Sequence, residues 1–204
     1  MLIDYKKTEK ELYQPKATPA IIDVAEMVFI AVDGKGNPNT SAEYATAIEI
    51  LYGLSYAIKM GNKSVLEYVI PPLEGLWWLP STGVDDYLDK DKFCWTSMIR
   101  QPEFVTPRVF EDAKKTLGEK KSMLDLSKAR LLKFTEGLCV QVMHTGSYDD
   151  EPATITLMEQ YAIGNGYAFE INESRRHHEI YLSDPRRVAP EKLKTVIRYP
   201  IKAK

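Results

Sequence analysis

Val28-Phe29-Ile30-Ala31-Val32-Asp33-Gly34-Lys35-Gly36-Asn37-Pro38 is a β-rich run that breaks into a turn. Leu138-Cys139-Val140-Gln141-Val142-Met143-His144-Thr145-Gly146-Ser147-Tyr148 is a second one. When Gly36 is aligned with Gly146, the apolar positions of the two strands coincide, the mark of an internal repeat. The segments after the two strands are also alike. Tyr44, Ala47, Ile48, Leu51, Leu54, Tyr56 and Ile58 recur at largely helical spacing between Ser41 and Met60, with Ser41 or Thr40 as N-cap and Gly61-Asn62 as the stop. In the second half, Glu151-Pro152 opens a helix carrying Ile155, Leu157, Met158, Tyr161 and Ile163, and Gly164-Asn165-Gly166 ends it.

Working outward, each helix leads into a hairpin pattern. Ser64 to Ile70, the turn Pro71-Pro72 and Leu73 to Leu79 make the first. Tyr167 to Ile171, Asn172-Glu173-Ser174 and His177 to Leu182 make the second. The expected fold is therefore α+β, two tandem β-α-β-β units (pseudo-twofold) with paired antiparallel sheets and a central ligand cleft. Repeat 1 takes residues 25–79 and repeat 2 residues 138–201 of a single domain covering 1–204. The connecting segment 80–137 holds a strand pattern (Phe93 to Arg100) and a helical one (Pro107 to Lys133, with a break expected at Gly118).

The 204 residues carry a net charge of −2 with short, mixed basic clusters, which argues against a nucleic-acid partner. No stretch approaches the length of apolar chain that a membrane helix needs, and Met1 to Lys10 has no apolar core of a signal peptide. The two cysteines, Cys94 and Cys139, form no CxxC and fit free thiols in a reducing compartment, so the cytoplasm is expected. The chain is expected to act as a monomer or homodimer, with no cofactor.

His177-His178-Glu179-Ile180-Tyr181-Leu182 carries the strongest chemical signal. On a strand, His177, Glu179 and Tyr181 share one face, and His178, Ile180 and Leu182 share the other. If the apolar face packs on the helix, Glu179 faces the cleft, where poor solvation raises a carboxyl pKa. The plainer alternative is an exposed strand glutamate. Adjacent histidines point to opposite faces and no third ligand stands at a useful spacing, so no metal is expected. Rings offer a lining: one of Trp77 and Trp78, then Trp95, Tyr56 and Tyr148, with Met98 beside them, although core packing suits each ring as well. Gly34-Lys35-Gly36-Asn37 is a turn rather than a phosphate loop, and no GxSxG elbow or supported Cys-His pair is present.

Three segments resemble the GyrI-like small-molecule-binding proteins. They are Phe29 to Pro38, His144-Thr145-Gly146-Ser147-Tyr148, and His178-Glu179-Ile180-Tyr181-Leu182-Ser183-Asp184-Pro185, the last being the most specific. Ala189 to Thr195 resembles the extension of the stand-alone members, and Ser147 stands where the family often has Pro. The resemblance implies tandem β-α-β-β units and a central acidic residue in the ligand cleft, a place Glu179 fits. Regulators of the family carry a helix-turn-helix domain first; only about 24 residues precede the first strand here, which implies a stand-alone member.

Length, the Tyr5-Lys6-Lys7 segment and the tryptophans are similar to a subfamily that hydrolyses cyclopropane-bearing DNA-alkylating natural products. That likeness implies Glu179 as the water-activating base, Tyr181 or Tyr148 on the developing phenolate, and a cage from rings such as Trp77, Trp95 and Tyr56. Two alternatives stay open: binding of an apolar or aromatic small molecule without turnover, and a protein-interaction module that inhibits a DNA-handling enzyme.

Overall fold

A computed structural model describes residues 2–80 and 89–204. Residues 81–88, part of the expected connecting segment, lie outside the described residues, as does Met1. The chain is of α+β class and divides into two compact units.

Unit 1 is built on Met27–Phe134, with the chain start up to Asp4. Strand β2 (Met27–Lys35) is the first quoted run. Its four consecutive residues Phe29 to Val32 are fully buried, so both faces of the strand are covered. Helix α3 (Ala42–Gly61) comes next, and the Ser41 hydroxyl caps it by accepting the Tyr44 amide. Strands β3 (Leu73–Trp78), β4 (Cys94–Gln101) and β5 (Ala129–Phe134) complete an antiparallel sheet in the order β3-β4-β2-β5. Helices α3 and α4 (Pro107–Lys120) bury Ile30, Val32, Trp95 and Ile99 on one face, against Ile50, Leu51, Leu54, Phe110 and Leu117. On the other face, Phe29, Ala31, Leu76 and Met98 cluster with Leu132 and Phe134.

Two expectations for this half are corrected. Residues 64–70 form no hairpin strand. Tyr68 bridges, in parallel, to Ile3, because the Ile3 amide donates to the Glu67 carbonyl and the Ile3 carbonyl accepts from the Val69 amide. Pro71 and Pro72 have no N–H to extend a ladder. The partner of β3 is β4, which lies in the expected connecting segment. Likewise, the helical pattern does not run to Lys133. Helix α4 passes through Gly118 and stops at Lys120, and Ala129–Phe134 is β5, hydrogen-bonded to β2.

Unit 2 takes Tyr5–Glu26 and Thr135–Lys204. Its helices α1 (Tyr5–Thr8) and α2 (Lys10–Tyr13) precede β1 (Ala20–Val24). Then come β6 (Gly137–Thr145), α5 (Glu151–Gly164), β7 (Tyr167–Phe169), β8 (His177–Tyr181) and β9 (Lys194–Ala203). The antiparallel order is β1-β6-β9-β8, with β7 paired to the end of β9. Helix α5 lies over Val140, Val142, Ile197 and Ile201 through Met158 and Ala162. The opposite face packs Ile180 and Val196 against Tyr13, with Tyr5 and Leu12 alongside.

Strands β1 and β9 have no counterpart among the elements expected from sequence, and the partner of β8 is β9 rather than Tyr167–Ile171. Unit 1 runs β2-α3-β3-β4-α4-β5, and from Gly137 onward unit 2 runs β6-α5-β7-β8-β9. The turn glycines Gly36 and Gly146 have positive φ, 102° and 146°, where a side chain would be strained. No helix among the described residues is long and apolar enough to cross a membrane.

Candidate functional site

The alternation expected for β8 is present. His178 and Ile180 are buried on the face that α1 and α2 cover, while His177, Glu179 and Tyr181 are half-buried on the other. Register places Glu179 opposite Ile197 and Tyr181 opposite Thr195 of β9. Ile197 packs under α5, so Glu179 lies on the α5 face of the sheet. The apolar residues of β8 thus pack on the N-terminal helices, not on α5 as the sequence suggested.

Glu179 is gripped by donors. His177 Nε2 stands 2.6 Å from Glu179 Oε1, and the Tyr181 hydroxyl and the Glu151 carboxyl also hydrogen-bond the same carboxylate. Burial alone pushes the Glu179 carboxyl up. The hydrogen bond and charge of His177, joined by Tyr181 and Glu151, outweigh it and hold the carboxyl below its ordinary value. The expected rise is therefore reversed. An ionised carboxylate only accepts, so His177 Nε2 carries the proton it shares. Both side chains are largely shielded, 15% exposed for His177 and 13% for Glu179.

The neighbouring residues arrive on a stiff segment. His144, at the end of β6, uses both ring nitrogens: Nε2 donates to the Ser147 carbonyl at 2.9 Å, and Nδ1 pairs with Thr154 Oγ1 of α5 at 2.8 Å. The Ser147 hydroxyl accepts the Asp149 amide and starts the single 3-10 turn Tyr148–Asp150. This fixes Tyr148, whose ring meets Tyr181 edge-on at 6.0 Å, and buried Glu151 at the first position of α5. From β9, Tyr199 packs edge-on to His177 at 4.8 Å and stacks on Phe169 at 4.6 Å. The result is a shielded anion rimmed by tyrosines. It suits a flat apolar molecule, a cation, or a water to be oriented.

Behind β8 lies a second charged cluster. The Glu136 carboxylate accepts from His178 Nδ1 at 3.0 Å and from Arg198 Nη1 at 2.7 Å. Arg198 Nε and Nη2 donate to Gln141 Oε1 at 3.1 and 3.0 Å, and Nη2 also reaches the Leu12 carbonyl at 3.3 Å. Burial raises the Glu136 carboxyl, but His178 and Arg198 bring it down to about 2. This network locks β8 to β9 from the face away from Glu179.

Of the residues singled out in sequence, Glu179, Tyr181 and Tyr148 come together. The others have different settings within unit 1. Trp95 is fully buried between β4 and the helices, its ring directly over Gly34, and meets Tyr44 edge-on at 5.0 Å. A ring with no accessible surface cannot form a cage wall in this conformation. Trp77 packs on the same helix-side core, so Trp78 is the one on the opposite face. Met98 sits on that opposite face with Phe29, Ala31 and Leu76. Tyr56 stands in solvent on α3, 55% exposed. Sequence reasoning missed Glu151, which it placed only as a helix start, and Tyr199, which lies in an unrecognised strand.

A metal ion would need at least three ligands. The fold supplies the third that spacing lacked: Glu151, His177 and Glu179 each place one ligand atom within 4.8 Å of the others. Metal-bound imidazoles usually donate their second ring N–H to a partner. The buried His177 Nδ1 has none among the described residues, and Nε2 is committed to Glu179. The trio fits a hydrogen-bonded carboxylate better than a metal centre.

Comparison with known proteins gives a family match and several similar structures. Residues 17–202 match the GyrI-like small molecule binding domain. An uncharacterized conserved protein from Listeria innocua is 45% identical, with TM-score 0.93, over 98% of this chain and 100% of its own. Two further Listeria innocua structures are described as hydrolases. One is 44% identical with TM-score 0.91 over 99% of this chain, the other 42% identical with TM-score 0.90 over 98%, and each is covered in full. The C-terminal domain of EcmrR is similar in fold alone, at 11% identity and TM-score 0.55, over 92% of this chain and 98% of its own. No curated protein matches the chain.

Proposed function

This chain belongs to the GyrI-like small-molecule-binding family, and we propose that it binds apolar or aromatic xenobiotics beside Glu179 and hydrolyses cyclopropane-bearing DNA-alkylating compounds, protecting the cell. The observation that carries this reading is the shielded Glu179 carboxylate, held ionised by His177 and Tyr181 and rimmed by Tyr148 and Tyr199. The hydrolase description of relatives at 42 and 44% identity supports it.

The chemistry asks little of the protein. In a spiro-cyclopropane fused to a dienone, water attacks the unhindered methylene. A carbon–oxygen bond forms there, the strained carbon–carbon bond breaks, and its electron pair moves to the ring oxygen as a phenolate. Glu179 takes the water's proton, which then neutralises the phenolate through solvent. A carboxylate with a lowered pKa is a modest base, but it is always in the basic form near neutrality. Ring strain and aromatisation supply the driving force, so orienting the water is the larger share of the task. Tyr181 is engaged with Glu179 and tunes it; Tyr148, whose ring is 6.0 Å away, is the candidate donor to the phenolate.

Binding without turnover is the second reading. A persistent anion among rings favours a flat organic cation. Reaction in isotopically labelled water separates the two. Hydrolysis puts the label on the former cyclopropane methylene over many turnovers, whereas binding alone returns the compound unchanged.

A further inference from the structure

Two carboxyl groups share one shielded corner of unit 2. Glu151 opens α5 and is 6% exposed; Glu179 comes from β8, its side chain 13% exposed. One oxygen of each lies within 4.8 Å of the other and of a ring nitrogen of His177. Glu151 is among the groups that hold the Glu179 carboxyl down. Ionised carboxylates have only acceptor atoms, so direct contact between two of them requires a proton on one. Like charges this close and this poorly solvated also resist double ionisation. Glu179 already accepts from His177 Nε2 and the Tyr181 hydroxyl, which makes it the better supported anion of the two.

We infer that Glu151 and Glu179 are a proton-sharing carboxyl pair in which Glu151 holds the proton and donates to Glu179. The inference deepens the proposed function and rests on its reading of Glu179 as the anion that meets the ligand. Glu151 is then a positioning residue. It fixes which Glu179 oxygen is left for water or a cation, and it keeps the base ionised without bringing a second negative charge. The proton count belongs to the pair. The groups facing it are His177 and Tyr181 on β8, Tyr199 on β9, His144 on β6 and Tyr148 before α5, with Asp149 and Asp150 exposed at the start of that helix.

Carboxyl carbon NMR on the ligand-free protein with labelled glutamate tests this apart from any catalysis. At pH 6 an ordinary glutamate, with a pKa of about 4.3, is ionised. The parent should keep one protonated glutamate carboxyl at that pH. That signal should vanish in Glu151→Gln, which retains an N–H donor for Glu179, and should titrate closer to the ordinary range in Glu179→Gln. Should Glu151→Gln not fold, through-bond assignment in the parent identifies the same signal. A parent with every glutamate ionised at pH 6, or a protonated signal assigned to Glu179, overturns the inference. A protein that shows the signal but hydrolyses nothing would refute the proposed reaction and leave the pair standing.

Discussion

His177 donates from Nε2 to Glu179 Oε1 across 2.6 Å, from two positions away on the same face of β8. Strand alternation alone brings the two together, so the imidazole travels with the carboxylate it serves. Through this contact a shielded glutamate stays ionised.

Replacing His177 by Phe removes both the hydrogen bond and the charge that lower the Glu179 pKa. The pKa should rise. Because a carboxyl with a depressed pKa is active as base above that pKa, the acid limb of kcat/KM should move to higher pH. A pH profile of hydrolysis checks this, and an acid limb that stays in place would mean that His177 does not tune Glu179.

Loss of the Glu136 network should appear as acid instability. The folded pKa of about 2 lies below an unfolded value of about 4.3, so the stabilisation is complete above the unfolded value and is lost as pH falls toward 2. Linkage gives about 3 kcal/mol over that window. Urea midpoints measured between pH 6 and pH 2 should fall steeply below about pH 4.5. Glu136→Gln should flatten that slope and cost about 3–5 kcal/mol at neutral pH, because it strands the buried Arg198 charge.

In unit 1 the prediction concerns packing. Trp95→Ala empties a fully buried site and should cost about 3–5 kcal/mol. Gly34→Ala should cost about 1–3 kcal/mol, since a Cβ there would meet Trp95 Cη2 at 2.3 Å. Tyr56→Ala, on the exposed side of α3, should change stability by less than about 0.5 kcal/mol and leave ligand affinity unchanged. Denaturant melts and a binding titration read all three. A Tyr56→Ala variant with weakened affinity would return that ring to the site.

The sequence was legible where one physical signal dominated. The capped helix after Ser41, the Pro-led helix after Glu151 and the His177–Tyr181 alternation all stand in the structure. It was opaque where patterns competed. Lys121 to Lys133 carries leucines that satisfy either period, and only pairing with β2 makes Ala129–Phe134 a strand. In β9, Arg198 and Pro200 interrupt the apolar run, yet Arg198 is buried because Glu136 and Gln141 receive it. Glu151 could not be placed beside Glu179 from spacing, because the contact is made by the packing of α5 near β8. The aromatic rings misled for a related reason: period two gives two faces but does not say which one the helices cover.

The most direct measurement compares parent and Glu179→Gln protein for binding and for turnover of one cyclopropanoid alkylator, with products identified by mass spectrometry. The parent should release a water-added product over many turnovers. The variant should retain a substantial share of the affinity while losing about 10²–10⁴-fold in kcat. Equal turnover by the two proteins, or no water-added product from the parent, would contradict a hydrolase built around Glu179.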